Sequence, residues 1–165
     1  MMKNADESMD LNKLKNLENI PVRNIMRPIK EGVLDAETPI TKMLEIMAYE
    51  PKRRTFYVVE GEKLLGIITP QRILEYIVLK AGKTDVLREK GESIGLRYLL
   101  GTYAKDYVGE LVCVHPENTI FDVCMKMVEK LMDEIPVVSE NMKLIGEVCF
   151  IDILNLAIYT VKQRK

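Results

Sequence analysis

Few side chains in this sequence can do chemistry. His115 is the single histidine, and Cys113, Cys124 and Cys149 are the three cysteines. Their spacing fits no zinc pattern, so no metal is expected. The cysteines lie in apolar runs and read as reduced, packed thiols; His115, beside Pro116, reads as a turn residue. There is no Gly-rich phosphate loop and no histidine–carboxylate pair, which removes the usual partners for acid–base catalysis. No enzyme activity and no catalytic cofactor are expected. Two charged features remain. Lys52-Arg53-Arg54 is a dense cationic run ahead of an apolar segment, and a run this short is also what a solvated turn looks like. Asp152 falls in the first turn of a helical segment, where exposed amides favour any acid by ~0.3–1 kcal/mol.

These residues sit inside a pattern that occurs twice, about 80 residues apart. The first copy reads Phe56-Tyr57-Val58-Val59, a polar turn, then Leu64-Leu65-Gly66-Ile67-Ile68-Thr69. The second reads Ile135-Pro136-Val137-Val138, a turn, then Leu144-Ile145-Gly146-Glu147-Val148-Cys149. A repeat of this period means two supersecondary units, neither able to bury its apolar face alone.

The elements that must position these side chains follow the same order in each copy. In the first, residues 32–34 read as a short strand. Thr38-Pro39 then reads as a helix start, with threonine at the N-cap and proline at the first helical position. Ile40, Met43, Leu44 and Met47 give that helix one apolar face. Strands over 55–59 and 64–68 flank Glu60-Gly61-Glu62-Lys63, a hairpin turn, and Thr69-Pro70 opens a second helix through 79. In the second copy, residues 111–114 read as a strand and Asn118 as a cap. A helix follows with its stripe on Ile120, Val123, Cys124, Met127, Val128 and Leu131. A hairpin over 135–138 and 144–149 leads to a closing helix over 152–161. Leu11, Leu14, Leu17 and Ile20 predict a short N-terminal helix, and residues 80–107 a connection with some helical character. The expected organisation is a segment over 1–20, a unit over 21–80, a connection over 81–103 and a unit over 104–165. The fold class is α/β (α+β): two β-α-β-β-α units about a pseudo-twofold axis.

Composition excludes several classes. At 165 residues with a formal charge of −1, the chain has no cationic field to attract nucleic acid or anionic lipid. The densest apolar run is far shorter than the ~20 residues of a membrane span. No signal-peptide pattern opens the sequence, and a cytoplasmic protein is expected.

Over residues 21–161 the sequence resembles a tandem pair of cystathionine-β-synthase (CBS) domains, a Bateman module. The marks are the two hairpins and the lead-ins Val22-Arg23-Asn24-Ile25-Met26 and Ala104-Lys105-Asp106-Tyr107-Val108. The resemblance implies a regulatory module that binds an adenosine-containing ligand, such as AMP, ADP, ATP or S-adenosylmethionine, in clefts between the halves. The family turn Gly-x-hydrophobic-Ser/Thr-x-x-Asp uses its Asp on the ribose hydroxyls, and an acceptor-only carboxylate suits that task. Asp152 holds that position in the second copy. It implies further that Val112 and Met132 enclose the base and that Arg53 or Arg54 approaches phosphate from the other half. Two departures stand out: Cys149 replaces the Ser/Thr, and Glu147 takes a position that commonly packs apolar against adenine. The first-copy cleft, with Thr69, Ile67 and Arg72, is expected to be weaker, since Arg72 offers only donors and Asp133 and Glu134 would face it. The resemblance also implies a homodimer through the closing helix and a regulated partner protein. The alternative is an association module without a small ligand.

Overall fold

Each copy of the repeat folds as a β-hairpin followed by a helix and preceded by another. The structure is a computed structural model describing residues 19–50, 54–81 and 102–162. The expected N-terminal helix, nearly all of the 81–103 connection, Lys52 and Arg53 lie outside the described residues. The first unit runs β1 (Val33–Asp35), α1 (Ile40–Tyr49), β2 (Phe56–Glu60), β3 (Lys63–Ile68) and α2 (Pro70–Ala81). The second runs α3 (Ile120–Lys130), β4 (Glu134–Val138), β5 (Leu144–Cys149) and α4 (Phe150–Lys162). Short 3-10 turns, Val22–Asn24 and Ala104–Tyr107, lead into the units.

The two hairpins are the same structure. Val58 pairs with Gly66 and Val59 with Leu64, and a bulge interrupts the ladder between them; Val137, Gly146, Val138 and Leu144 repeat this arrangement. β1 pairs in parallel with β2, and α1 forms the crossover between them. In the second unit the strand expected over 111–114 shrinks to one parallel bridge between Val114 and Val137. The cause is Pro136. In the first unit Tyr57 N donates to Gly32 O at 2.8 Å, whereas Pro136, at the matching position, has no N–H to give.

Two helix starts also differ from expectation. Pro39 is itself the N-cap of α1, with ψ 135, and Thr38 makes no side-chain cap. Its backbone is used elsewhere: Thr38 O accepts from Ala104 N at 2.8 Å. For α3 the cap is Thr119, in a reciprocal box with Asp122, while the Asn118 side chain accepts from His115 N within the preceding turn.

The lead-ins cross. Val22, Ile25 and Met26 pack with the β4–β5 core of Val123, Ile135, Val137 and Val148, and Ala104 and Tyr107 pack with the first unit's Ile40, Phe56 and Ile68. This exchange explains the paired glycines: a Cβ on Gly66 would collide with Val108, and one on Gly146 would meet Arg27 O at 2.9 Å. The hairpin ends meet at Lys63 and Lys143, where Leu64 N donates to Met142 O and Leu144 N to Glu62 O. A third core of Tyr57, Val59, Leu64, Ile67, Val112 and Val138 fills the space between units. Neither unit therefore owns a complete core, and the face between them is the natural place for a cleft.

Candidate functional site

A cavity of about 350 Å³ opens where the hairpins run into their closing helices. The first unit contributes Arg54 and Thr69, and the second Met132, Asp133, Glu134 and Cys149. Local sequence brings them there. Glu134 pairs with Cys149 across β4–β5 and Phe56 with Ile68 across β2–β3, so the start of each inner strand lies beside the end of its partner.

Both closing helices start at this point, and each keeps half of a capping box. On α2, Thr69 Oγ1 accepts from Arg72 N at 3.3 Å, but Arg72 offers no carboxylate in return. On α4, Asp152 Oδ2 accepts from Cys149 N at 3.2 Å, but Cys149 offers no hydroxyl. That bond starts α4 at Phe150, two residues ahead of the expected 152. Asp152 is thus a helix-capping acid whatever else it does.

Behind Asp152 lies a polar network that the sequence reading missed. Glu147 is only 2% exposed. Its carboxylate accepts from Tyr57 Oη at 2.8 Å and from Arg27 Nε at 3.1 Å. Paired backbone bonds hold Arg27 and Glu147 together, N to O at 2.9 Å and 3.0 Å. The same guanidinium reaches Glu134 at 3.5 Å and Asp152 at 3.7 Å. Burial opposes the charge on Arg27, but Glu147 and Asp152 outweigh it and hold the group above its ordinary pKa. Burial pushes the Cys149 thiol up, with Glu134 adding to the effect against the N–H of Ile151. One signal for a partner, though not for Arg27 in particular, was available. A carboxylate inside an apolar strand must find a cation or donors, and Arg27 lies in the lead-in that crosses to that strand. Tyr57 had no comparable signal.

The cleft assembles the expected residues only in part. Cys149, Met132 and Arg54 share the larger cavity, with Asp152 and Glu147 behind Cys149 on the Arg27 side. Val112 lines instead a second cavity of about 250 Å³ with Ile67, Arg72 and Lys130; Met132 and Thr69 border both. Asp133 and Glu134 line the Arg54 cavity and not the Arg72 one, because β4 returns them to Cys149 of their own hairpin. Glu147 is turned away from the cleft into its pairing with Tyr57 and Arg27. Among the described residues no group of His, Cys, Asp or Glu is placed to hold a metal ion, and no helix is long and apolar enough to cross a membrane.

The CBS domain family model matches residues 20–79 and 104–159. The chain is similar to CBSX2, a CBS-pair protein from Arabidopsis thaliana whose structure is known in complex with AMP. In that complex the identity is 20% and the TM-score 0.64, over 87% of this chain and 98% of the other. It is also similar to the CBS domain of a bacterial CNNM/CorC family Mg2+ transporter in complex with ATP, at 16% identity and TM-score 0.65, over 90% and 94% of the two chains. A CBS domain-containing protein of unknown function from Bacillus anthracis matches at 17% identity and TM-score 0.68, over 88% and 98%. Likeness at such identities speaks for the fold. No curated protein matches the sequence.

Proposed function

The chain belongs to the CBS domain family, and from that premise we propose that it is a non-catalytic regulatory module that binds an adenosine-containing ligand at the cleft beside Asp152. The observation that carries this reading is the 350 Å³ cavity lined from both units, with Arg54 on one side and Cys149, which caps onto Asp152, on the other. Its size falls in the range of small-ligand pockets. Relatives of the same fold were solved with AMP and with ATP, which makes adenosine nucleotides the first ligands to test, with S-adenosylmethionine beside them. Asp152 carries the ribose hydroxyls through Oδ1, since Oδ2 already serves Cys149 N. Arg54 meets the phosphate, where its planar fork makes charge-assisted bonds. Met132 supplies apolar contact to the base from the floor shared by both cavities.

A second reading has its own support. Arg27 already sits among Glu147, Glu134 and Asp152, so the acceptors near the cleft have an internal cation, and an association module would need no ligand there. Thermal denaturation of the full chain separates the two. A ligand that binds only the folded state stabilises it by RT ln(1 + [L]/Kd), so AMP, ATP or S-adenosylmethionine at millimolar concentration raises Tm under the first reading. Unchanged Tm with all three favours the second.

A further inference from the structure

The α3 helix carries an apolar row that its counterpart in the first unit lacks. Phe121, Met125 and Val128 are 49%, 54% and 73% exposed, and their i, i+4, i+7 spacing puts them on one face. The other face, with Ile120, Val123 and Met127, is already buried. At the matching places of the repeat α1 has Thr41, Glu45 and Ala48. The closing helices behave differently, since exposed Leu74 and Val78 on α2 recur as exposed Leu154 and Ile158 on α4. A surface pairing two copies through both units would use those recurring rows. The α3 row calls for a partner that only the second unit meets.

The chain itself brings such a partner to this place. Residues 20–23 run antiparallel to 116–120: Ile120 N donates to Ile20 O at 2.9 Å, Val22 N to Asn118 O at 2.8 Å and Arg23 N to Pro116 O at 3.0 Å. Arg23 also pairs with Glu117. Residues 9–18, which lie outside the described residues, are therefore tethered beside Phe121. They carry Leu11, Leu14 and Leu17, with Lys13 and Lys15 on either side of Leu14. We propose that this segment docks on the α3 row as an amphipathic helix antiparallel to α3. Leu17 then lies over Phe121, Leu14 over Met125 and Leu11 over Val128. The lengths agree, since Leu11 to Leu17 spans ~9 Å of helix and Phe121 to Val128 ~10.5 Å. A short connection favours antiparallel neighbours. Asp122 and Glu129 border one side of the row, and a lysine on each side of Leu14 leaves one of them to face these acids. A helix of this length is marginal in water by itself, so it forms as it docks. The docking is independent of any ligand in the Asp152 cleft.

Hydrogen–deuterium exchange of the full chain, read by mass spectrometry, tests it. The amides of residues 13–18 are expected to exchange about tenfold or more slowly than in a free peptide of the same sequence. This protection should not change with protein concentration. Met125→Asp/Val128→Asp alters two exposed side chains; it should return residues 13–18 to the free-peptide rate while β2 and β4 stay protected. Leu14→Asp should do the same, and because it alters only the segment, it keeps the test valid if the double variant does not fold. Free-peptide rates in the parent chain overturn the proposal. So does protection that survives Leu14→Asp, or that survives the folded double variant, because the segment then lies elsewhere. Protection that falls on dilution overturns it too, because a second copy is then the cover.

Discussion

Glu147 is the residue with the most at stake. A carboxylate 2% exposed in the middle of β5 is tolerated only because Tyr57 and Arg27 donate to it. Removing one partner of a buried pair costs more than the pair contributes. Glu147→Ala is therefore expected to lose about 1–3 kcal/mol, the penalty for the donors left behind. Arg27→Met/Glu147→Leu removes both charges together and should lose clearly less than the sum of the single changes. Urea unfolding midpoints at constant slope measure the cycle; additive losses would mean that the 3.1 Å contact contributes nothing. At this scale the sequence was half legible. Asp152, Cys149 and Arg54 could be named as candidates; Arg54 and Cys149 share a cavity, while Asp152 accepts from Cys149 N beside it, and Glu147 stood out as an acid in an apolar position. That such an acid needs a cation or donors was legible; which residues supply them was not, because Arg27 crosses from a lead-in about 120 residues away.

Elements were the most legible scale, since hairpins and amphipathic helices follow from local periodicity. The errors fell where tertiary bonds compete with local capping. Thr38 looks like a cap, but its carbonyl receives Ala104 N and Pro39 takes the cap position. Pro136 reads as part of a strand, and only the pairing geometry reveals that its missing N–H shortens the neighbouring strand to a bridge. The cap of α3 offers a test with a pH signature. Thr119 N donates to Asp122 at 2.8 Å, and the Thr119 hydroxyl accepts from Asp122 N at 3.2 Å. The backbone N–H and hydroxyl of Thr119 hold the Asp122 carboxyl below its ordinary pKa. A depressed folded value means that this stabilisation is complete above the unfolded pKa of ~3.9 and is lost as pH falls through the folded one. Thr119→Ala should cost ~0.5–2 kcal/mol at neutral pH, and Asp122→Asn should flatten the loss of stability below about pH 4. Equal acid sensitivity of Asp122→Asn and the parent chain, measured by urea unfolding across pH, would rule out the box as its source.

At the scale of the whole molecule, the repeat predicted two units about a pseudo-twofold axis, and the crossed lead-ins explain why neither unit has a complete core alone. That crossing was not legible, because two lead-ins of similar pattern are equally able to pack on their own unit. Among the described residues, Ile151, Leu154 and Ile158 form an exposed row on α4, and Leu74 and Val78 are exposed on α2. Rows at i, i+3 and i+7 form one helix face, and exposed apolar area of this kind marks association. A homodimer is expected. Light scattering at micromolar concentration checks it, since a species of 19.0 kDa alone contradicts it and twice that mass supports it. The central claim, an adenosine ligand held beside Asp152, is tested most directly by calorimetry of AMP against the full chain and against Asp152→Asn. Losing a charge-assisted bond of ~1.5–3 kcal/mol should weaken AMP roughly ten- to a hundredfold, with the unliganded variant still folded. AMP binding unchanged in Asp152→Asn, or absent from the parent chain, would contradict it.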